Sequence, residues 1–444
     1  MTEKFSNKRR KNVFLPQISF MEKYRKRIAD DLLDRKLAGK GAVLIEGPKW
    51  CGKTTTAEQH AQSVVYIDDP EMSSQYKIQA DIQPKALLQG ETPRLIDEWQ
   101  IVPTLWDSIR FEVDHRDGLG YFILTGSSVP VHNERINHSG TGRFGWLRMR
   151  PMSLFESGDS NGKVSLSKLF QEEGEIYAES NHSLRDIAYL ICRGGWPKAV
   201  DMDAEYALDQ AFDYCDAITN RDISKVDDVN RNPERVKRLM RSYARLQGAQ
   251  SSYKTICDDL ANNEVAVLDV DTIASYILSL KKMFVIEDVP AWNPNLRSKT
   301  AIRTSDTRYF TDPSIGTAIL NLGPDALMDD LSSLGLFFET LCVRDLRTYA
   351  ESMMGSLSHY RDSSGLECDA VIHLRNGLYG LIEIKLGGDS LIAEGVKTLT
   401  QLKSKIDTTK MKEPSFLMIV TATGKFAYRM KNGIYIVPID CLRP

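Results

Sequence analysis

Eight consecutive residues constrain this 444-residue chain more than any others: Gly47, Pro48, Lys49, Trp50, Cys51, Gly52, Lys53 and Thr54. They satisfy the spacing GxxxxGK[ST] and fall between an apolar run, Ala42–Glu46, and a segment of helical character from Gly52 onward. A loop so placed turns its backbone N–H groups inward, and the following helix presents the positive end of its dipole. The anion that suits such a cradle is a phosphate. Lys53 would neutralise charge on the β- and γ-phosphates of ATP, and the Thr54 hydroxyl suits Mg²⁺. Gly47 through Thr54, with Thr55, form the expected nucleotide-contacting set. Trp50 and Cys51 occupy variable positions of the pattern and need no chemistry of their own.

A second element follows. The stretch PRLIDEWQ (Pro93–Gln100) reads as a short apolar strand ending in Asp97-Glu98. Asp97 would bind Mg²⁺ and Glu98 would orient and activate the attacking water. A third strand, YFILTGSS, ends in hydroxyls, so Thr125 or Ser127 is a candidate γ-phosphate sensor. Strands near 42–46, 64–68, 94–97, 121–125 and 146–150, with helices between most of them, predict a parallel α/β sheet.

That order of P-loop, Asp-Glu strand and LTGSS strand resembles the AAA+ ATPases. GTGRFGWLRMRPMSLFE (Gly140–Glu156) is similar to the segment that follows in a large bacterial and archaeal group of such proteins. The resemblance implies Arg143 as an arginine finger or sensor. AAA+ relatives often assemble so that a neighbour's arginine completes the site, which leaves a homo-oligomer, and Arg143 acting in cis or in trans, as expectations.

Composition agrees with an ordinary globular protein, 42% hydrophobic and 26% charged. The net charge of −3 hides local imbalance: residues 1–40 hold twelve Lys/Arg against five Asp/Glu, including the run NKRRKN (Asn7–Asn12). Residues 231–257 hold seven Lys/Arg against Glu234 alone. Either stretch could contact phosphates, although solvated helix faces are the commoner use of such charge. The seven cysteines form no CxxC pair, no apolar run spans a membrane, and the expected location is the cytoplasm.

The expected division is 1–158, a P-loop ATPase domain; 159–232, a helical lid or linker; 233–325, a winged-helix-like domain; and 326–444, a nuclease-like domain. Within the lid, Gly194-Gly195-Trp196-Pro197 reads as a structural joint. Three helices and a strand pair over 234–290 suggest a winged helix-turn-helix. Its presumptive recognition helix, Thr272–Met283, would offer Ser275, Ser279, Lys281 and Lys282 outward. That set reads base edges poorly, so phosphate contact or protein packing is the better expectation.

The C-terminal order α-β-β-β-α-β carries Glu339, Asp369, Glu383 and Lys385. It resembles the restriction-endonuclease-like nucleases, whose site is written Pro-Asp, then Asp/Glu-x-Lys. The resemblance implies Glu339, Asp369 and Glu383 as Mg²⁺ ligands, Lys385 stabilising the activated water or developing charge, and nucleic acid, DNA first, as the class of partner. Cys368 stands where that pattern has proline, and Gln401 is a candidate for orienting substrate. A regular two-residue turn at Asn376-Gly377 would set Asp369 opposite Ile384, on the wrong face from Glu383. A metal site therefore predicts a shift of one residue, through a three-residue turn or a bulge. The competing expectation is a nucleotide-switched regulatory or DNA-binding protein whose nuclease-like domain only docks.

Overall fold

The computed structural model describes residues 24–127, 140–171, 176–226, 229–264, 268–294 and 302–444. The basic run Asn7–Asn12 lies outside the described residues. The first part runs α1 (Ile28–Leu37), β1 (Ala42–Glu46), α2 (Lys53–His60), β2 (Ser63–Tyr66), α3 (Ser73–Ile82), β3 (Arg94–Asp97), α4 (Leu105–His115), β4 (Phe122–Gly126) and β5 (Phe144–Arg148). The strands form one sheet in the order β2-β3-β4-β1-β5, and every pairing is parallel. Ala42 and Leu44 face one core with Trp106 and Phe144, while Val43 and Ile45 face the other with Leu33 and Leu147. Burial on both faces is why β1 reads as a continuous apolar run. The P-loop leaves its carboxyl end, where open parallel sheets take their ligands.

Next come α5 (Leu154–Ser157), β6 (Val164–Ser165), α6 (Leu166–Phe170), β7 (Ala178–Glu179), α7 (Leu184–Arg193), α8 (Pro197–Val200) and α9 (Ala204–Ala217). Ser183 and Asp186 form a capping box at the start of α7. The turn after it is built on Gly195, whose N–H donates to Asp312 at 3.0 Å and whose carbonyl accepts the Met152 N–H at 2.6 Å. A Cβ on Gly195 would lie 2.1 Å from the Met152 carbonyl oxygen, so a side chain has no room. Pro197 then opens α8, its missing N–H costing nothing at a first-turn position.

Helices α10 (Pro233–Arg245), α11 (Tyr253–Asn263) and α12 (Val270–Lys282) start at Asn232, Ser252 and Asp269, each accepting a backbone N–H through its side chain. Two antiparallel bridges, Ile286–Phe310 and Val289–Thr307, follow. The outward set expected on α12 needs correction. Ser279 is buried beside Tyr276, Ile277 and Leu280, and Lys281 is paired with Asp288 at 2.6 Å. On α10, Lys237, Arg241 and Arg245 pair with Asp216, Glu264 and Asp259, so much of the basic charge of 231–257 is internally neutralised.

The last part runs α13 (Pro313–Ile319), α14 (Pro324–Asp329), α15 (Leu331–Ser352), β8 (Gly355–Arg361), β9 (Glu367–Leu374), β10 (Tyr379–Lys385), α16 (Asp389–Lys405), β11 (Phe416–Thr421), β12 (Phe426–Arg429), β13 (Tyr435–Pro438) and β14 (Leu442–Arg443). Its sheet has the order β7-β12-β13-β11-β10-β9-β8. α15 covers the face bearing Ala370, Ile372 and Ile382, and α16 the face bearing Val371, Leu381 and Ile419. Strand pairing also corrects the helical reading of 159–232: β7 joins this sheet beside β12, and β6 pairs with β14 in a separate two-stranded sheet. Two-residue strands carry too little pattern to be read in advance.

The hairpin β9–β10 pairs Tyr379 with His373 and Ile382 with Ala370, and the Leu374 N–H donates to the Leu378 carbonyl at 2.8 Å. The turn is therefore three residues, Arg375-Asn376-Gly377, with Gly377 in the left-handed region at φ +81°. This is the one-residue shift that the acids require.

Candidate functional site

The P-loop is arranged around Lys53. Its buried ammonium donates to the carbonyls of Gly47 at 3.0 Å and Pro48 at 2.8 Å, and among the described residues it makes no ion pair. A buried cation held only by carbonyls fits an anion in the loop. The Thr54 hydroxyl donates to Asp97 at 2.8 Å, and the Thr125 hydroxyl donates to the same oxygen. Burial pushes the Asp97 carboxyl up, and the two hydroxyls oppose it. This set of hydroxyl and carboxylate oxygens is what Mg²⁺ takes, so the residues fit the ion.

Thr125 is buried against Asp97, whereas Ser127 lines the cavity and reaches Glu98 at 3.4 Å. Glu98 sits at φ +53°, a costly left-handed conformation for a glutamate, and its carboxylate accepts a bond from Gln100. Burial raises its pKa while Lys53 pulls it down. A raised carboxylate is the better proton acceptor.

Beside the loop lies a cavity of about 630 Å³ whose walls include Lys49, Trp50, Gly52, Thr55, Tyr24, Arg25, Trp196 and Pro197. Sequence reasoning missed Tyr24 and Arg25, and it gave Trp196-Pro197 only a joint's role. The Trp50 ring lies 5.6 Å from Tyr214, which lies 4.3 Å from Trp196. Lys49 pairs with Asp222 and Arg25 with Asp201, so the helical segment touches the loop directly. The available signal was the aromatic pair itself, one ring in a phosphate loop and one beside a glycine turn. Cys51 is fully buried with its sulfur 3.8 Å from the Met149 carbonyl oxygen, a packing residue.

Arg143 is not at this site. The parallel register sets Phe144 beside Ala42 and Arg148 beside Glu46, which puts Arg143 at the edge of the sheet opposite the P-loop. Its guanidinium is held by Asp114 at 2.8 Å. The reading of Arg143 as a finger for its own chain's nucleotide is corrected by that register.

In the C-terminal domain, Lys385 lies 2.8 Å from Glu383 and 3.4 Å from Asp369, and Asp369 accepts the Ile384 N–H at 2.8 Å. Burial pushes the Glu383 carboxyl up, Asp369 adds to this, and Lys385 opposes it. Against its own burial, the two carboxylates hold the Lys385 ammonium above the usual lysine range. One Glu383 oxygen, Oε1, is buried with no hydrogen-bond partner. That orphaned acceptor beside a second carboxylate fits a divalent cation held by two acids. These residues line a groove of about 760 Å³ together with Gln401.

Glu339 behaves differently. Its carboxylate accepts the Tyr309 hydroxyl, and burial, followed by the Asp369 charge, pushes its pKa up to about 8. Among the described residues no three His, Cys, Asp or Glu side chains are arranged to hold a metal ion, so Glu339 does not join Asp369 and Glu383 as a third ligand.

One helix reaches both sites. Five residues after Glu339, the buried Arg344 pairs with Asp312 at 2.9 Å and Asp345 at 2.8 Å, and Asp312 is the acceptor for Gly195 beside the nucleotide cavity. Further along α15, Arg347 pairs with Glu287 at 2.8 Å, and Glu351 with Arg150 at 2.8 Å. Arg150, just after β5, also grips Glu287 with two 2.7 Å bonds. Burial pushes the Glu287 carboxyl up, but Arg150 and Arg347 outweigh it and hold it well below the usual range.

No helix among the described residues is long and apolar enough to cross a membrane. No curated protein matches the chain. Residues 184–326 and 334–442 match the models of two domains of unknown function, DUF8612 and DUF4143. Among solved structures, a Walker-type ATPase of Pyrococcus abyssi is 14% identical with a TM-score of 0.38, covering 66% of this chain and 94% of its own. The Orc1 protein of Aeropyrum pernix, in complex with DNA, is 12% identical with a TM-score of 0.22, covering 68% and 92%. Likenesses that faint carry no argument. Residues 39–157, however, match the model of the AAA domain, and that match supports ATP binding and hydrolysis by the segment holding the P-loop and the Asp97-Glu98 strand.

Proposed function

We propose that this chain couples Mg²⁺-dependent ATP hydrolysis to a nuclease-like C-terminal domain that acts on nucleic acid, DNA in the first instance. Gly47–Thr55 bind the nucleotide phosphates, Thr54 and Asp97 hold Mg²⁺, and Glu98 takes a proton from the attacking water. The chemistry such an ion would supply is neutralisation of phosphate charge. The helices α10–α12 and the bridged pair after them act as a winged-helix unit. In the C-terminal domain Asp369 and Glu383 would hold a divalent cation, which would supply Lewis-acid chemistry to a phosphodiester, and Lys385 stabilises the developing charge. Arg143, on the far edge of its sheet and held by Asp114, has no part in its own chain's nucleotide site, which leaves a neighbouring copy's nucleotide as the one it could meet.

The observation that carries this reading is the three-residue turn, which brings Asp369, Glu383 and Lys385 together around an unpartnered buried oxygen. The route for coupling is α15, which holds Glu339 near the acids and Arg344 in the network that grips Gly195. The test is cleavage of DNA and RNA with Mg²⁺ or Mn²⁺, with and without ATP, in wild type and Glu383→Ala. A second reading is favoured by one observation: no three-acid metal cage is assembled among the described residues. In it, the nuclease-like domain is a docking surface of a nucleotide-switched regulator. Asp369→Ala would then leave function intact while Lys53→Ala abolished it.

A further inference from the structure

A second cavity, of about 370 Å³, opens between the ATPase sheet and the C-terminal domain, away from both sites above. Arg35 and Lys36, in the last turn of α1, and Lys40 just after it, line one side. Arg375, from the three-residue turn of the β9–β10 hairpin, lines the other. Two carboxylates, Glu46 and Glu351, also border the space, but Glu46 is paired with Arg148 at 2.9 Å and Glu351 with Arg150 at 2.8 Å. Among the described residues Arg35, Lys36, Lys40 and Arg375 make no ion pair, and the Lys40 ammonium rests on the Gly142 carbonyl.

Cations at the end of α1 have an ordinary use in meeting the helix dipole. That use does not account for Arg375, which another domain's turn brings to the same space. Lys36 records the crowding: burial first, and then the Arg375 charge, pull its pKa down, with Lys40 and Arg35 adding to this and Glu351 opposing it. Four like charges converging on a concavity cost stability unless an anion joins them. The arrangement contrasts with α10, where Lys237, Arg241 and Arg245 are met by acids.

We propose that this cavity is a second phosphate-binding site, distinct from the P-loop, at which Arg35, Lys36, Lys40 and Arg375 hold the phosphates of a nucleic-acid strand or of a free nucleotide. Phosphate chemistry is common to both sources, and its place at the joint of the two domains would let occupancy bias how they meet.

The test is anisotropy of labelled single- and double-stranded oligonucleotides, with EDTA present so that none is cut, across a salt series. A parallel arm measures inorganic pyrophosphate binding by calorimetry in the Lys53→Ala protein, whose P-loop is disabled. Wild type is compared with Lys36→Gln, Arg375→Gln and the double variant. Each removes repulsion, so melting temperatures should hold or rise and ATP hydrolysis should persist. If the ligand is a strand, each substitution weakens binding about tenfold, and the salt slope falls by about 0.7 per cation on single strands. If it is a free nucleotide, pyrophosphate binding falls in the variants and oligonucleotide binding does not change. If the double variant keeps both affinities and the wild-type salt slope, the proposal is overturned. Because cleavage plays no part in either arm, failure of the nuclease reading would leave this result standing.

Discussion

The Lys385 ammonium lies 2.8 Å from the Glu383 carboxylate, two residues back on the same strand. Alternation along a strand puts both on one face, and the turn at Arg375–Gly377 brings Asp369 to them. The lysine thus stands between two acids, where a divalent cation would compete with it.

Proton linkage at Glu383 and Glu339 makes stability depend on pH. Glu383 and Glu339 both have carboxyls raised above the ordinary value of 4.5, to about 8. The folded state then holds more protons than the unfolded one between those values, so wild-type stability should fall as pH rises through that window. Glu339→Gln, which cannot ionise, should flatten the fall. Urea unfolding at pH 5 and pH 8 measures both slopes, and parallel slopes in wild type and variant would refute the linkage.

ATP chemistry should separate into binding and hydrolysis. Lys53→Ala should abolish nucleotide binding, since Lys49, the loop's other cation, is paired with Asp222. Glu98→Gln should bind ATP yet lower turnover by about 10²- to 10⁴-fold, the usual contribution of a positioned base. Equilibrium binding with phosphate release checks the pair, and normal turnover in Glu98→Gln would remove the water-activating role.

Arg344→Met should destabilise the fold by about 3–5 kcal/mol near neutral pH, because it strands Asp312 and Asp345 in the core. Burial already pushes Asp345 to about 6 against the pull of Arg344. Without the guanidinium its pKa climbs further, so the deficit should shrink at pH 5, where the acid protonates. Thermal unfolding at the two pH values reads this directly.

Gly195→Ala should damage nucleotide binding from outside the P-loop. The added methyl meets the Met152 carbonyl oxygen, and Met152, Trp196 and Pro197 all border the nucleotide cavity. A cost of about 1–3 kcal/mol in stability and a raised KM for ATP are expected.

The ATPase core was legible because its signals are local: a glycine-spaced loop, an apolar run buried on both faces, and an acid pair closing a strand. The hairpin shift was also legible, since strand alternation forces the parity of Asp369 against Glu383. Other features depend on contacts remote in sequence. Nothing near Ala178 announces that it will pair with Ala427, 249 positions on. Arg143 was misplaced because a motif gives neighbours along the chain, whereas its distance from the P-loop is set by the direction of β5. Helical phase along α12 points Ser279 and Lys281 outward, but the helix's buried face and Asp288 claim them.

The measurement that most directly tests the account is cleavage of circular and linear DNA by purified, ATP-hydrolysing protein with Mg²⁺ or Mn²⁺, beside the Glu383→Ala variant. The account predicts cutting that Glu383→Ala abolishes and that ATP modulates. Cutting that survives in the variant, or no cutting on any substrate by protein that hydrolyses ATP normally, would contradict it.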